Sequence, residues 1–413
     1  MFGNYIKMAW KVLGRRKFFT FVSLFGIGFT LTTLMIVVSL TDHYLSPGYP
    51  ETQLDRSLIL SRTAMSGDNS TWSSGPGYKL IDTYTRDLPG VERMSVYTRA
   101  ADAVTFRDGR KLDFDVRHTD AEYWRIMEFA FLEGAPFTAA DDANANHVAV
   151  ISDATRLRYF GDEAAMGQSI ELDGKAYQVI GIVRNVPWYR LNSAADVWLP
   201  LQTQATSAFF DRIIGGCNAV YQLEPGARAK EVQAAFSERL TRVEFPDPER
   251  FHTIRGLPLS ALETIANQML NLDIGETAPR RFILICALAV LLFMALPAIN
   301  LVNINLSRIY ERSSEIGVRK AFGAASPDLV LQFVVENVVL CLIGGVIGLI
   351  GAFALLKAAT LFPQLPFMTF SLNWRLFGFA LILATVFGLL SGVWPAWKMS
   401  RRHPVDALKG GTS

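Results

Sequence analysis

Four apolar runs interrupt the chain, at residues 18–40, 282–306, 329–356 and 376–394. Three hold no formal charge, and the third holds a single acid, Glu336. At about 1.5 Å of rise per residue, such runs have the length to cross a hydrocarbon core of roughly 30 Å as helices. Between the first two lies a long stretch of different texture. Residues 41–281 alternate short β-branched and aromatic segments with amphipathic ones, divided by turn residues. The pattern predicts a membrane α-helical protein with four transmembrane helices, and a large α+β extracytoplasmic domain inserted between helices 1 and 2.

Within 41–281, Asp-Gly turns mark two hairpins. One pairs 103–106 with 112–116 around Asp108-Gly109, and the other pairs 169–172 with 176–183 around Asp173-Gly174. Helices are expected at 78–88, 153–160 and 229–243, the last following a strand at 219–223 across Glu224-Pro225-Gly226. Residues 65–77, rich in Ser and Gly, read as a mobile loop, and Asn69-Ser70-Thr71 is formally a glycosylation sequon. Inside the second apolar run Pro297 predicts a kink, and Pro395 closes the fourth.

Charge orients the spans. Lys7, Lys11, Arg15, Arg16 and Lys17 precede the first run; Arg308, Arg312, Arg319 and Lys320 lie between the second and third; Lys398, Arg401, Arg402 and Lys409 follow the fourth. The opposite flanks hold only Arg280, Arg281, Lys357 and Arg375. The positive-inside rule then places both termini and 307–328 in the cytoplasm, and 41–281 and the loop 357–375 outside. The resulting division is a basic N-terminal helix (1–17), four spans, the outer domain, a cytoplasmic segment (307–328), a short outer loop (357–375) and a cytoplasmic tail (395–413). The first run is too long for a signal-peptide core, and no small-x-small site follows it, so it is expected to be retained as a span.

Composition agrees. Hydrophobic residues make up 50% and charged residues 19%, against about 25% charged in soluble domains, and mean hydropathy is +0.23. With 40 basic and 38 acidic residues the net charge is +2, so bulk charge attracts no nucleic acid. Of three cysteines only Cys217 lies in 41–281, which excludes an intramolecular disulfide there. His118, His147 and His252 share no ligand spacing, and Asp141-Asp142 sits in an Ala/Asp/Asn-rich stretch that reads as a solvated turn. No Gly-x-Ser-x-Gly or His-Glu-x-x-His occurs. The chain reads as non-catalytic, with no cofactor or metal site of its own.

The densest information lies in Glu311-Arg-Ser-Ser-Glu-Ile-Gly-Val-Arg-Lys-Ala-Phe-Gly-Ala324. Arg308, Arg312, Glu315 and Arg319 recur at three- and four-residue steps, and Glu315 to Arg319 has the favourable i,i+4 order. Gly323 suits a helix C-cap, and Ser326-Pro327 suits the start of the next helix. A short helix between two spans, charged on one face and carrying Ile316, Val318, Ala321 and Phe322, is either a topological connector or a docking element. Two acids among the basic residues favour docking, because topology alone needs only Lys and Arg.

This segment resembles the coupling-helix signature of the MacB/FtsX permease family, the type VII ABC transporters. The likeness extends to Gly14-Arg-Arg-Lys-Phe-Phe-Thr20, to Val148-Ala-Val-Ile-Ser152 through Phe160-Gly161, and to Gly167-Gln-Ser-Ile170 and Tyr177-Gln-Val-Ile-Gly-Ile-Val183. It ends at Pro395-Ala396 followed by Arg401, Pro404 and Ala407-Leu408. The resemblance implies a dimer of permeases in a bacterial cytoplasmic membrane, with a second permease of the same or a related chain. It also implies an ATPase whose motion Glu311, Arg312, Glu315, Ile316, Gly317, Arg319, Lys320, Ala321 and Gly323 pass to the periplasmic domain. No Gly-x-x-x-x-Gly-Lys-Ser/Thr loop occurs in these residues, so ATP and magnesium are expected on a separate cytoplasmic ABC ATPase subunit. Efflux is the first expectation, with a periplasmic adaptor and outer-membrane duct as further candidate partners beside membrane lipids. The alternatives are lipoprotein release, control of a cell-wall hydrolase, or a ligand-sensing receptor without ATPase.

Two stripes of small residues, Gly344, Gly348 and Ala352 in the third run and Ala384, Gly388 and Gly392 in the fourth, are candidates for helix packing or a dimer interface. Glu336 reads as a structural hydrogen-bonding group near the cytoplasmic interface rather than an ion site.

Overall fold

The computed structural model describes residue 14, residues 17–107, 109–204, 206–311 and 326–359, and short pieces at 374–375, 377–379, 381–382, 385–386 and 389–390. The helices are α1 (Lys17–Leu45), α2 (Tyr123–Ile126), α3 (Ala139–Ala143), α4 (Asp153–Phe160), α5 (Ala229–Leu240), α6 (Ala261–Leu270), α7 (Pro279–Glu311) and α8 (Ser326–Ala359). Two compact units result, one within His43–Phe282 and one formed by the long helices that flank it in sequence.

In the unit at 43–282, ten strands make one sheet. Its spatial order is Ser57–Leu60, Cys217–Leu223, Val91–Thr98, Arg110–Thr119, Val197–Pro200, Val148–Ser152, Lys175–Val183 and Phe131–Gly134. Ala101–Arg107 pairs with Arg110–Thr119, and Ser169–Leu172 pairs with Lys175–Val183. These are the two Asp-Gly hairpins. Asp173 (φ 48°) and Gly174 (φ 77°) both take the left-handed conformation that a two-residue hairpin turn requires. Two pairings are parallel, 148–152 with 175–183 and 110–119 with 197–200. The first is bridged by α4, whose N-cap Ser152 accepts a hydrogen bond from the Thr155 amide and which ends at Gly161 (φ 60°). The outcome is a mixed α+β domain.

Three apolar clusters hold the sheet. α5 lays Val232, Phe236 and Leu240 against Leu58, Val96, Ala219 and Tyr221. α4 lays Tyr159 and Phe160 against Ala149, Ile151, Val179 and Val197. The third is aromatic: Trp198, fully buried, meets Phe129 edge-on at 5.1 Å and Trp124 at 6.2 Å, with Tyr97, Tyr123 and Phe137 around them.

Residues 65–77 are not a loop. Thr63–Ser66 and Thr71–Pro76 form a hairpin that pairs with Ile214–Gly215 on one side and Thr253–Gly256 on the other. Its glycines serve close approach: a Cβ on Gly75 would come 2.6 Å from the Cys217 carbonyl oxygen. Asp141 and Asp142 are likewise structural. Asp141 closes a capping box with Thr138 at the start of α3, and Asp142 Oδ1 accepts the Gln202 amide at 3.0 Å. The helix expected at 78–88 is shorter, a turn of π-helix over Leu80–Tyr84.

Among the described residues three helices are long and apolar enough to cross a membrane: Lys17–Leu45, Pro279–Leu296 within α7, and Val334–Ala359 within α8. α7 runs unbroken through Pro297. The fourth expected span lies largely outside the described residues, and its described pieces are helical.

Candidate functional site: a small-residue seam and the coupling segment

Large apolar side chains cover most of the long helices, and small ones mark where they meet. On α1, Phe21, Phe25 and Phe29 stack along one exposed face at 6.1 and 5.9 Å. The opposite face carries Ile27, Leu31 and Leu34, which cluster with Met294 of α7 and Cys341 of α8. That arrangement suits helices whose outer surface meets hydrocarbon, where packing rather than water exclusion joins them.

The α1–α8 contact is built on glycine. A Cβ on Gly344 would lie 2.6 Å from Ile27 Cγ2; on Gly348 it would lie 2.8 Å from Leu31 Cβ and 3.1 Å from the Gly28 carbonyl oxygen. Ala352 is fully buried. So Gly344 and Gly348 lie against α1 of the same chain. Thr32 Oγ1 donates to the Gly348 carbonyl at 3.1 Å, and a Cβ on Gly351 would meet Thr32 Oγ1 at 2.8 Å. The α1 half of this seam, Gly28 and Thr32, escapes a reading that looks for small residues only in the third and fourth runs. The signal is there as Gly28-x-x-x-Thr32, four residues apart. Ala384, Gly388 and Gly392 lie outside the described residues.

Glu336 is buried in α8, one turn from Gln332, whose Nε2 donates to Glu336 Oε1 at 2.9 Å. A carboxylate held by a neighbouring amide on its own helix has a structural partner.

α7 carries the chain to Glu311, the first residue of the coupling motif. Arg312, Glu315, Ile316, Gly317, Arg319, Lys320, Ala321 and Gly323 lie outside the described residues. The structure does not bring the histidines together. His118 lies in the strand Arg110–Thr119, His147 packs on the Tyr177 ring, and His252 stands 3.6 Å from Asp68. Among the described residues no group of His, Cys, Asp and Glu is arranged to hold a metal ion.

Comparison with known proteins follows the same division. The model of the MacB-like periplasmic core domain matches residues 20–239, and that of the FtsX-like permease C-terminal region matches 287–404. A probable export ATP-binding/permease protein of Pseudomonas fluorescens is 26% identical over 99% of this chain and 60% of its own length. The macrolide export ATP-binding/permease protein MacB of Escherichia coli is 26% identical over 98% of this chain and 60% of its own. A pyoverdine export ATP-binding/permease protein of Pseudomonas fluorescens is also 26% identical, over 98% and 59%. The chain thus spans about 60% of the length of these relatives. Among solved structures it is similar to the periplasmic region of MacB from Actinobacillus actinomycetemcomitans, at 14% identity, TM-score 0.38, 52% of this chain and 94% of that one. It is also similar to the extracellular domain of the transporter YknZ from Gram-positive bacteria, at 14% identity, TM-score 0.37, 48% and 97%.

Proposed function

This chain belongs to the MacB/FtsX permease family, and from that premise we propose that it is the permease subunit of an ATP-driven ABC exporter. In this reading four spans, both ends cytoplasmic, connect a cytoplasmic coupling helix to a periplasmic α+β domain in a bacterial inner membrane. A cytoplasmic ABC ATPase on a separate chain grips the 311–324 segment and supplies ATP and magnesium. Glu311, Arg312, Glu315, Arg319 and Lys320 hold it by charge, and Ile316, Gly317, Ala321 and Gly323 give it a close apolar footing. Closure of the ATPase moves α7 and α8 together through that segment, and the seam at Gly344, Gly348 and Ala352 carries the motion to α1. A second permease completes the assembly, and an adaptor and outer-membrane duct would take the cargo outward. Relatives are named for macrolide and pyoverdine export; we take export to this chain and neither cargo.

The observation that carries the reading is the glycine-built α1–α8 contact, with a side-chain hydroxyl bonded to a backbone carbonyl across it. Helices joined so closely move as one body, which transmission of force requires and a polar-lined pore does not. The test is the double substitution Glu315→Ala/Arg319→Ala in a well-expressed protein. Export should be lost, uncoupled from ATP hydrolysis, while the permease keeps its melting temperature. Export at the parental rate would defeat the proposal.

A further inference from the structure

A cavity of about 530 Å³ opens within the α+β domain, lined by Tyr44, Trp188, Tyr189, Arg62, Arg99 and Arg117 among others. Pockets for small organic ligands typically measure roughly 300–1,000 Å³. Its chemistry is two-sided. One part is apolar: Leu54, Ile59 and Leu191 with the rings of Tyr44, Trp188 and Tyr189, of which Trp188 and Leu191 are about half exposed.

The other part is cationic and incompletely satisfied. Arg117 is 2% exposed, and all its hydrogen bonds go to neutral carbonyls: Nη1 to Thr98 at 3.2 Å, and Nη2 to Leu191 and Ala194 at 3.0 Å. Its Nε–H has no acceptor, and neither does the buried Asn218 Oδ1 find a donor, although both residues line the cavity. A buried polar group left unpaired costs about 1–3 kcal/mol, more if charged. Arg62 and Arg99 add two exposed guanidinium groups at the same cavity.

The acids present do not cancel them. Glu51, which also lines the cavity, is engaged within the protein, accepting from Ser193 Oγ at 2.7 Å and standing 3.8 Å from Arg190 Nη1. Burial pushes its carboxyl up from the ordinary range, while Ser193, Arg190 and Arg117 act the other way. Asp115 is also raised, by burial and by the neighbouring Asp102. Arg117, Arg62 and Arg99 therefore face two acids, Glu51 and Asp115, and Glu51 is already paired with a fourth cation, Arg190.

We propose that this cavity binds a small amphipathic anion, its carboxylate or phosphate head against Arg117, Arg62 and Arg99 and its apolar body against Leu54, Trp188 and Tyr189. The head would offer an acceptor to the idle Arg117 Nε–H, and charge-assisted bonds to guanidinium are the strongest that such a wall can make. The site stands independently of the coupling mechanism, because binding is read without an ATPase.

The experiment uses the full chain in nanodiscs of phosphatidylcholine and two photoreactive probes, a diazirine-bearing dodecanoic acid and its primary amide. Labelled peptides are mapped by mass spectrometry. The acid should label peptides containing Tyr44 or residues 188–191, and the amide should label them about tenfold less, the loss expected when a charge-assisted hydrogen bond goes. The rim variant Arg62→Gln/Arg99→Gln, which leaves the buried Arg117 network in place, should cut acid labelling by a similar factor without lowering the melting temperature. Competition by added phosphatidylglycerol would identify a lipid headgroup as the source of the anion; persistence of labelling would identify a soluble amphiphile. Equal labelling by acid and amide, no change in the rim variant, or labelling only outside these peptides would overturn the proposal.

Discussion

The two units of this protein solve the same packing problem with opposite residues. In the α+β domain the largest side chains are among the most buried: Trp198, Tyr97, Tyr123 and Tyr221 lose essentially all their exposure. In the long helices large side chains are divided: Ile27, Leu31, Leu34 and Met294 are buried, and many others are not. Phe21, Phe25, Phe29, Leu288 and Leu292 stand outside, and Gly344, Gly348 and Ala352 occupy the contacts. The difference follows from the surroundings. Water drives large apolar surfaces together at roughly 25 cal/mol per Å². Hydrocarbon offers no such drive, so helices there gain by letting backbones approach.

That contrast is open to direct attack. The largest effect is expected at Trp198, where truncation to alanine removes the centre of the aromatic cluster. It should cost about 3–5 kcal/mol in unfolding of the α+β domain, whereas Leu292→Ala on the exposed face of α7 should leave melting nearly unchanged. Similar losses at both positions, measured by thermal unfolding of the purified protein, would break the comparison.

A somewhat smaller effect is expected from His118. Burial, with Lys175 adding to it, pushes its imidazole down to about 4. The native state therefore keeps His118 neutral while the unfolded chain takes up a proton near 6.5, so stability is lost as pH falls from about 6.5 to 4. The full span amounts to about 3 kcal/mol. Asp120, pushed up to about 6 by burial, works the other way, since its native carboxyl takes up a proton first. The sign is thus read from a difference: His118→Gln should gain on the parent protein as pH falls through that window. A gap that stays constant with pH would contradict it.

The seam gives the third test. Gly348→Ala already sets a Cβ 2.8 Å from Leu31 Cβ and should lower stability, and Gly348→Leu should part α1 from α8 at a larger cost, about 1–3 kcal/mol, the range for overpacking. Melting temperatures equal to the parent's for both variants would mean that the close approach does not matter.

What the sequence made legible follows the range of the interactions involved. The Asp-Gly hairpins and the helix over 153–160 are local, each set by turn or cap residues a few positions apart, and they stand where their residues put them. The hairpin over 63–76 was hidden because its glycines look like loop residues until the strands of 212–217 come against them. Parallel pairing of 110–119 with 197–200 joins residues about eighty positions apart and leaves no local trace. In the candidate site, Gly344 and Gly348 were legible as a stripe, but their partners Gly28 and Thr32 show only once α1 is laid beside α8. The cavity was not legible at all: Arg117 shares its strand with Arg110 and Lys111, and nothing in the sequence announces that it alone of the three is buried.

The central claim is that the 311–324 segment answers to an ABC ATPase. It is tested most directly by purifying the tagged full chain in mild detergent, with an ATP analogue and a crosslinker, and identifying stoichiometric companions by mass spectrometry. The account expects an ATPase with a Gly-x-x-x-x-Gly-Lys-Ser/Thr loop, crosslinked to peptides that include Glu315 or Lys320. A purified protein that brings no ATPase under these conditions would contradict it.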